Sequence, residues 1–143
     1  MSVFSLLYVS RSLVHGQAAE IAVADIVSVA RQRNLDLGVC GALLFTGTQF
    51  SQVLEGSRAG VEELMDSINR DPRHTDIVVI RQGDVPQARF ARWTLAYCGP
   101  SAFVAQAVEA ALDEASQGAR ARGEGLLRLL EEFSSESQDN PPR

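Results

Sequence analysis

Cysteine and histidine are scarce in this chain. Its 143 residues include two cysteines, Cys40 and Cys98, without CxxC spacing, and two histidines, His15 and His74. So few ligands and nucleophiles argue against a disulfide framework, a metal centre and a histidine-dependent nucleophile triad. Isolated cysteines are typical of proteins in a reducing cytoplasm, which is the location we expect.

Long charged and long apolar segments are missing as well. The formal charge is −5, from 13 basic and 18 acidic residues that form no long run of either sign. This gives no reason to expect nucleic acid or an anionic membrane as a partner. No segment approaches the roughly 18 apolar residues of a membrane span, and the N-terminus lacks a signal-peptide pattern. The sequence therefore predicts a soluble protein of one domain with a short appendage.

Apolar periodicity predicts seven structural elements before Gly99, in the order β, α, β, β, α, β, β. The predicted strands are Val3–Ser10, Gly38–Thr46, Gln49–Glu55, Asp76–Arg81 and Arg89–Cys98, and the predicted helices are Ala18–Asn34 and a segment from an N-cap at Ser57 to about Arg70. Close approach of another group is expected at Gly41, inside the second strand. This order predicts an α+β, ferredoxin-like sandwich whose two helices lie on one face of the sheet.

The composition changes to alanine and charge after this core, which we place at residues 1–98. Two further helices are predicted at Ala102–Ser116 and Glu124–Phe133, within an extension over residues 99–134. They either cover the bare face of the sheet or form a contact between copies of the chain. Residues 135–143 have almost nothing apolar to bury, so we expect a disordered tail.

Gln52 is a neutral amide on a strand face that should be buried. Alternation places it between Phe50 and Leu54 on that face. A buried amide without a partner costs about 1–3 kcal/mol, so a protein group or a ligand must satisfy it. A glutamine on an edge strand, paired with backbone, is the simpler explanation.

Two other polar residues lie on faces predicted to be buried. Tyr8 follows Phe4 and Leu6 on the first strand, and Asn34 lies one turn beyond Ala30 on the first helix. Each has a purely structural explanation: Tyr8 as a core aromatic, and Asn34 as a left-handed residue at the helix end. Together with Gln52, a phenol and two amides suit an amide-rich heterocycle such as a flavin ring.

The spacing of these residues resembles the BLUF family, the sensors of blue light using FAD. The resemblance extends from about Val3 to Tyr97, over about two thirds of the chain. It is carried by the YxS of residues 8–10, the ARxRN of 30–34, the GxxGALLF of 38–45, the FSQxLEG of 50–56, the RDPRH of 70–74 and the RFxxW of 89–93. Each motif is weak alone, and the set in this order is specific.

The resemblance implies a flavin bound non-covalently between the two helices and the sheet, FAD in the family and FMN or riboflavin as alternatives. Tyr8 and Gln52 would be the photoactive pair, and Asn34, Arg73 and His74 would complete the binding site. In the implied mechanism, Tyr8 gives an electron and a proton to the light-excited flavin. Their return leaves Gln52 rearranged, with a new hydrogen bond to a flavin carbonyl that shifts absorption to the red until it decays in the dark.

Signal relay in the family is associated with the fifth strand, where alternation places Trp93, Leu95 and Tyr97 on one face. The family commonly has methionine two residues beyond the tryptophan, and this chain has Leu95. Leucine keeps the apolar volume and lacks the flexible thioether, so relay through this strand is less well supported than the photochemistry.

The resulting hypothesis is a photoreceptor without enzymatic activity that acts through a response protein or its own oligomer. A flavin-free interaction module with the same fold is the first alternative. The second is a small ferredoxin-like enzyme or metabolite-binding regulator using Arg73, His74 and Glu55, although a lone acid such as Glu55 is more often solvated.

Overall fold

The computed structural model describes residues 2–100, 123–136 and 140. Its strands and helices are β1 (Val3–Ser12), α1 (Gly16–Leu37), β2 (Cys40–Phe45), β3 (Gln49–Gly56), α2 (Arg58–Arg70), β4 (His74–Val85), β5 (Ala96–Cys98) and α3 (Glu124–Glu136). The β, α, β, β, α, β, β order predicted from the sequence is confirmed. The second predicted C-terminal helix is α3, and the first, Ala102–Ser116, lies outside the described residues.

The five strands form one sheet in the order β4-β1-β3-β2-β5. Strand β3 pairs antiparallel with both β1 and β2, β4 pairs antiparallel with β1, and β5 is parallel to β2. Insertion of β3 between β1 and β2 gives the ferredoxin-like arrangement, which confirms the predicted α+β fold. In this register Tyr8 of β1 lies directly opposite Gln52 of β3.

The two faces of the sheet have separate apolar cores. On one face, α1 and α2 pack against side chains of β1, β2 and β3, as predicted. On the other face, α3 buries Leu126, Leu127 and Leu130 against Leu7 and Val53. Burying a leucine side chain stabilises a fold by about 1.5–3 kcal/mol. Of the two roles left open for the C-terminal helices, α3 takes that of covering the sheet.

Helix α1 ends later than the apolar stripe predicts. Its C-cap is Gly38, with a φ of 67°, and Asn34 lies inside the helix. Both the second strand's predicted start at Gly38 and the explanation of Asn34 as a left-handed terminal residue are therefore wrong. Glycine takes the left-handed position because it has no Cβ to clash there.

The fifth strand is much shorter than predicted. Strand β5 contains three residues, and the preceding segment turns, with the Trp93 amide donating to the Phe90 carbonyl at 3.0 Å. Trp93 packs in the core beneath α3, whereas Leu95 packs in the core beneath α1. The prediction that these two side chains share one strand face is wrong because the chain bends between them.

Other boundaries also differ from prediction. Strand β4 begins at His74 and is twice as long as expected, since it pairs along β1. Helix α3 includes Ser135 and Glu136, and Asn140 is buried, so these three residues depart from the predicted disordered tail.

The expected close approach at Gly41 is confirmed, because a Cβ there would overlap the carbonyl of Val53. None of the helices in the described ranges has a stretch apolar enough to cross a bilayer.

Candidate functional site

A buried phenol–amide hydrogen bond lies at the centre of the sheet. The Tyr8 hydroxyl donates to Gln52 Oε1 at 2.6 Å, and the two residues are 3% and 5% exposed. Their strands place them opposite each other, and alternation turns both toward α1 and α2. The protein partner of Gln52 is therefore a side chain, which removes the simpler explanation of an edge glutamine bonded to backbone.

The Tyr8 phenol is held in its neutral form. Burial raises its pKa well above the ordinary value for tyrosine, and the nearby charge of Asp71 raises it further. A neutral phenol keeps its hydroxyl proton, so Tyr8 remains a hydrogen-bond donor throughout the physiological pH range.

Asn34 reaches the same region from α1. It is 1% exposed, and its Nδ2 donates to the Thr94 carbonyl at 2.9 Å. A carbonyl oxygen accepts and never donates, so this contact fixes which end of the amide faces Thr94. The Oδ1 acceptor of Asn34 is thereby the end that remains for another partner.

His74 closes the side of the site nearest β4. Its Nδ1 lies 2.7 Å from Ser10 Oγ and its Nε2 lies 2.7 Å from the Ile68 carbonyl. Because the carbonyl can only accept, Nε2 carries a proton, and Nδ1 is left to pair with the Ser10 hydroxyl. The ring edge approaches Tyr8 and Phe50, with centroids 6.3 and 6.0 Å apart. His74 is thus positioned to pack beside a ligand, with both nitrogens bonded to protein.

Arg73 is held by two carboxylates. It contacts Asp71 through Nε at 2.9 Å and a terminal nitrogen at 2.7 Å, and Asp25 of α1 at 3.0 Å. The hydrogen bonds from Arg73 hold the pKa of Asp71 below its usual range, against the raising effect of burial. This cluster joins α1 to the turn after α2 and fixes one end of the site.

All five residues predicted to bind a cofactor line one cleft between α1, α2 and the sheet. The cleft is partly open to solvent. Small-molecule sites are mostly apolar. The walls are largely apolar here too, with contributions from Ile26, Val29, Ala30, Leu43, Leu54, Leu64 and Ile68.

Arg33, Ser67 and Asp71 also line the cleft and were not predicted. Arg33 donates to Ser67 Oγ and so links α1 to α2 at the cleft. These polar residues lie on helix surfaces or in a turn, where the sequence pattern suggests ordinary solvated positions. Their location in the site depends on how the two helices meet.

The donor and acceptor groups fit a flavin ring. Asn34 leaves an acceptor for an imide N–H, and Gln52 offers an amide that can donate or accept. The cleft thus contains the neutral phenol and the two neutral amides of Tyr8, Asn34 and Gln52, and their contacts to a flavin stay a prediction.

Trp93 and Leu95 are both buried and lie outside this cleft. Leu95 lines a second groove on the other side of α1, and Thr94 between them contacts the cleft through Asn34. The direct link from the cleft to this segment is therefore the Thr94 backbone. A role for either side chain in signal relay stays a prediction.

Glu55 lies on the opposite face and is not solvated as expected. It is 1% exposed, and its Oε1 accepts from the Phe90 amide at 2.8 Å. Burial raises its pKa, while backbone hydrogen bonds and the charge of Arg89 act in the other direction. It supports the loop beneath α3 and does not reach the cleft, which removes it from the set proposed for an enzyme.

A protein-family model described as BLUF, sensors of blue-light using FAD, matches residues 3–96. The chain is 39% identical over 70 residues to the blue light- and temperature-regulated antirepressor BluF of Escherichia coli, covering 49% of this chain and 17% of that protein. It is 32% identical over 92 residues to the photoactivated adenylate cyclase subunit beta of Euglena longa, covering 64% of this chain and 10% of that protein. The chain thus matches less than a fifth of either relative.

The chain is also similar in fold to a solved structure. The dark-state structure of the BLUF protein BlrB is 28% identical and has a TM-score of 0.76, covering 92% of this chain and 96% of that one. The segment matched by the family model includes every residue that was predicted to bind the cofactor.

Proposed function

This chain belongs to the BLUF family of blue-light sensors using FAD, and we propose that its cleft binds a flavin ring whose light response is recorded in the orientation of Gln52. The observation that carries the proposal is the buried hydrogen bond from Tyr8 to Gln52 in a cleft with largely apolar walls. No covalent attachment is needed, because the cleft offers neutral hydrogen-bonding groups and apolar walls.

Two residues make the proposed polar contacts to the ring, and a third orients one of them. Asn34 Oδ1 accepts from the ring's imide N–H, and the Gln52 amide bonds to an adjacent ring acceptor. Tyr8 holds the other end of Gln52. The apolar side chains of α1 and α2 enclose the ring faces, and His74 and Arg73 support the site from the side of β4, His74 by packing and Arg73 through its carboxylate partners.

Gln52 can occupy two orientations because its partner is a phenol. A phenol hydroxyl both donates and accepts, so it can bond to Oε1, as in the structure, or to Nε2 after the amide has turned. A bound flavin would supply blue-light absorption and, once excited, an acceptor for one electron and one proton. Tyr8 would be the residue that gives up both and regains both, so the Gln52 orientation would be the lasting change. The energy difference between two such hydrogen-bond patterns is on the order of 1 kcal/mol. A difference of this size allows the rearranged Gln52 to return to its original orientation by thermal relaxation in the dark.

The proposed output is a change in protein contacts and not catalysis by this chain. The charged side chains and the imidazole of the cleft are bonded to protein groups, and the phenol and two amides beside them do not form a converging acid and base. A response protein or a second copy of the chain would receive the signal, as antirepressor and cyclase relatives suggest by their names. FAD is the proposed flavin, with FMN and riboflavin sharing the same ring.

The test is absorption spectroscopy on the purified chain after incubation with FAD. We expect a yellow protein whose flavin bands shift to the red under blue light and return in the dark. Tyr97→Phe serves as the matched control, because Tyr97 is a tyrosine that lies outside the cleft. A protein that remains colourless with FAD, FMN and riboflavin would instead support the flavin-free interaction module.

A further inference from the structure

Asn34 depends on the position of a backbone segment that the sheet itself holds poorly. Its amide bonds to the carbonyl of Thr94, which precedes the three-residue strand β5 and lies in a bend. Strand β5 is at the edge of the sheet, with β2 on one side. Side chains from elsewhere in the chain complete the hydrogen bonding of this segment.

Arg31 is the first of these side chains. It lies one turn before Asn34 on α1, and its Nε donates to the Leu95 carbonyl at 3.0 Å. Residues three apart on a helix lie on adjacent turns of the same side, so α1 holds two consecutive carbonyls, those of Thr94 and Leu95. Displacement of one carbonyl moves the other.

Asn140 is the second. Its Oδ1 accepts from the Tyr97 amide at 2.7 Å, and its Nδ2 donates to the Tyr97 carbonyl at 3.2 Å. The side-chain amide thus pairs with the outer edge of β5 much as a neighbouring strand would. The same Oδ1 lies 3.3 Å from a terminal nitrogen of Arg31, and Asn140 is 6% exposed.

We propose that Arg31 and Asn140 are positioning residues for the flavin site, acting through Asn34. Together they fix the backbone of residues 94–97, so that the Thr94 carbonyl holds the Asn34 amide with its Oδ1 toward the cleft. The inference rests on the proposed function, because it assigns to these residues the orientation of a flavin-binding side chain. Neither residue is among those predicted to bind the flavin or relay its signal, and Asn140 does not line the cleft.

The test is a double-mutant cycle on flavin affinity in the 143-residue chain. The dissociation constant for FAD, from quenching of free-flavin fluorescence, is measured for the wild type, Asn140→Ala, Asn34→Ala and the double variant. We expect Asn140→Ala to weaken binding about two- to tenfold, the range for one or two lost hydrogen bonds. In the Asn34→Ala background, Asn140→Ala should not weaken binding further, because the side chain through which Asn140 acts on the flavin is absent.

Asn69→Ala is the matched control, because Asn69 is an exposed asparagine on α2. Asn140→Asp keeps the acceptor for the Tyr97 amide and for Arg31 but loses the donor, so its affinity should fall between wild type and Asn140→Ala. Arg31→Gln should weaken binding in the same direction as Asn140→Ala.

Two results would overturn the inference. One is an Asn140→Ala affinity equal to that of the wild type. The other is an equal loss with and without Asn34, which would show a general structural effect. Either leaves the proposed function intact as long as the wild type binds flavin and responds to light. A wild type that binds no flavin would refute the proposed function instead.

Discussion

Removal of the hydroxyl from Tyr8 tests the centre of the site most directly. Tyr8→Phe deletes one oxygen and leaves Gln52 Oε1 without its donor at a position that is 5% exposed. A buried polar atom that loses its partner costs about 1–3 kcal/mol, so the flavin-free protein should lose about that much unfolding free energy. Gln52→Leu leaves the phenol unpaired in the same way and should cost a similar amount.

The double variant gives the sharper result. With both polar groups removed, neither is left unsatisfied, and replacement of both partners by apolar groups can be nearly neutral. We therefore expect the double variant to be more stable than the sum of the single losses predicts, by about 1–2 kcal/mol. Urea unfolding followed by circular dichroism measures all four proteins, and Tyr97→Phe controls for the loss of a tyrosine hydroxyl as such.

Single losses that add within about 0.5 kcal/mol would refute the reasoning, because independent sites behave in that way. The same variants also test the photochemistry. Tyr8→Phe and Gln52→Leu should bind flavin and show no light-induced red shift, while Tyr97→Phe keeps the shift. A shift that survives in Tyr8→Phe would show that another residue is the electron donor.

Three further predictions concern charge and packing around the site. Arg73 holds the pKa of Asp71 below its usual range, so this pair stabilises the fold above that range and the contribution is lost as pH falls. Melting temperatures should therefore fall more steeply from about pH 5 to 3 for wild type than for Asp71→Asn, and parallel curves would contradict this. Burial raises the pKa of Glu55, so the folded protein favours its protonated form and loses stability, relative to Glu55→Gln, as pH rises above about 4.5. Glutamine keeps the oxygen that accepts from Phe90, and a stability difference independent of pH would show that burial does not perturb this acid. Leu95→Met conserves volume, so it should cost less than about 1.5 kcal/mol and leave the light-induced shift at its full amplitude, because Leu95 lies outside the cleft. A reduced amplitude of the light-induced shift would show that the side chain at position 95 affects the photochemistry.

The sequence predicts the site better than it predicts the edge of the sheet, and the reason is physical. Tyr8 and Gln52 lie on central strands with regular alternation, so their shared face and their pairing follow from local pattern. Apolar and polar residues also alternate around Trp93, but this segment bends. The Trp93 amide donates to the Phe90 carbonyl within a turn, and the Phe90 amide donates to the Glu55 side chain. Alternation alone does not show whether a partner strand is present.

Glu55 and Gln52 show the same limit within one strand. They lie three residues apart on β3 and point to opposite faces, and both are buried. Burial of Gln52 could be predicted because its flanking residues on that face are apolar. Burial of Glu55 could not, because its cover is a loop and α3, a helix about 70 residues further along the chain. A polar residue in a strand is therefore informative only when the cover of its face is known.

The two amides of the cleft differ in the freedom that their protein partners allow. Asn34 is bonded to a backbone carbonyl, which accepts from Nδ2 and would repel Oδ1, so its orientation has one low-energy state. Gln52 is bonded to a phenol, which accepts or donates with little difference in energy. A light sensor of the proposed kind needs both properties. The fixed contact of Asn34 would hold the ring in one position, and the reversible contact of Gln52 would store the signal. In the proposed site, the segment held by Arg31 and Asn140 would keep Asn34 in place, so Gln52 would change its bonds beside a stationary neighbour. The rearranged hydrogen bonds of Gln52 would store about 1 kcal/mol. Because the ring would stay in place, this energy could shift the contacts of the surrounding strands.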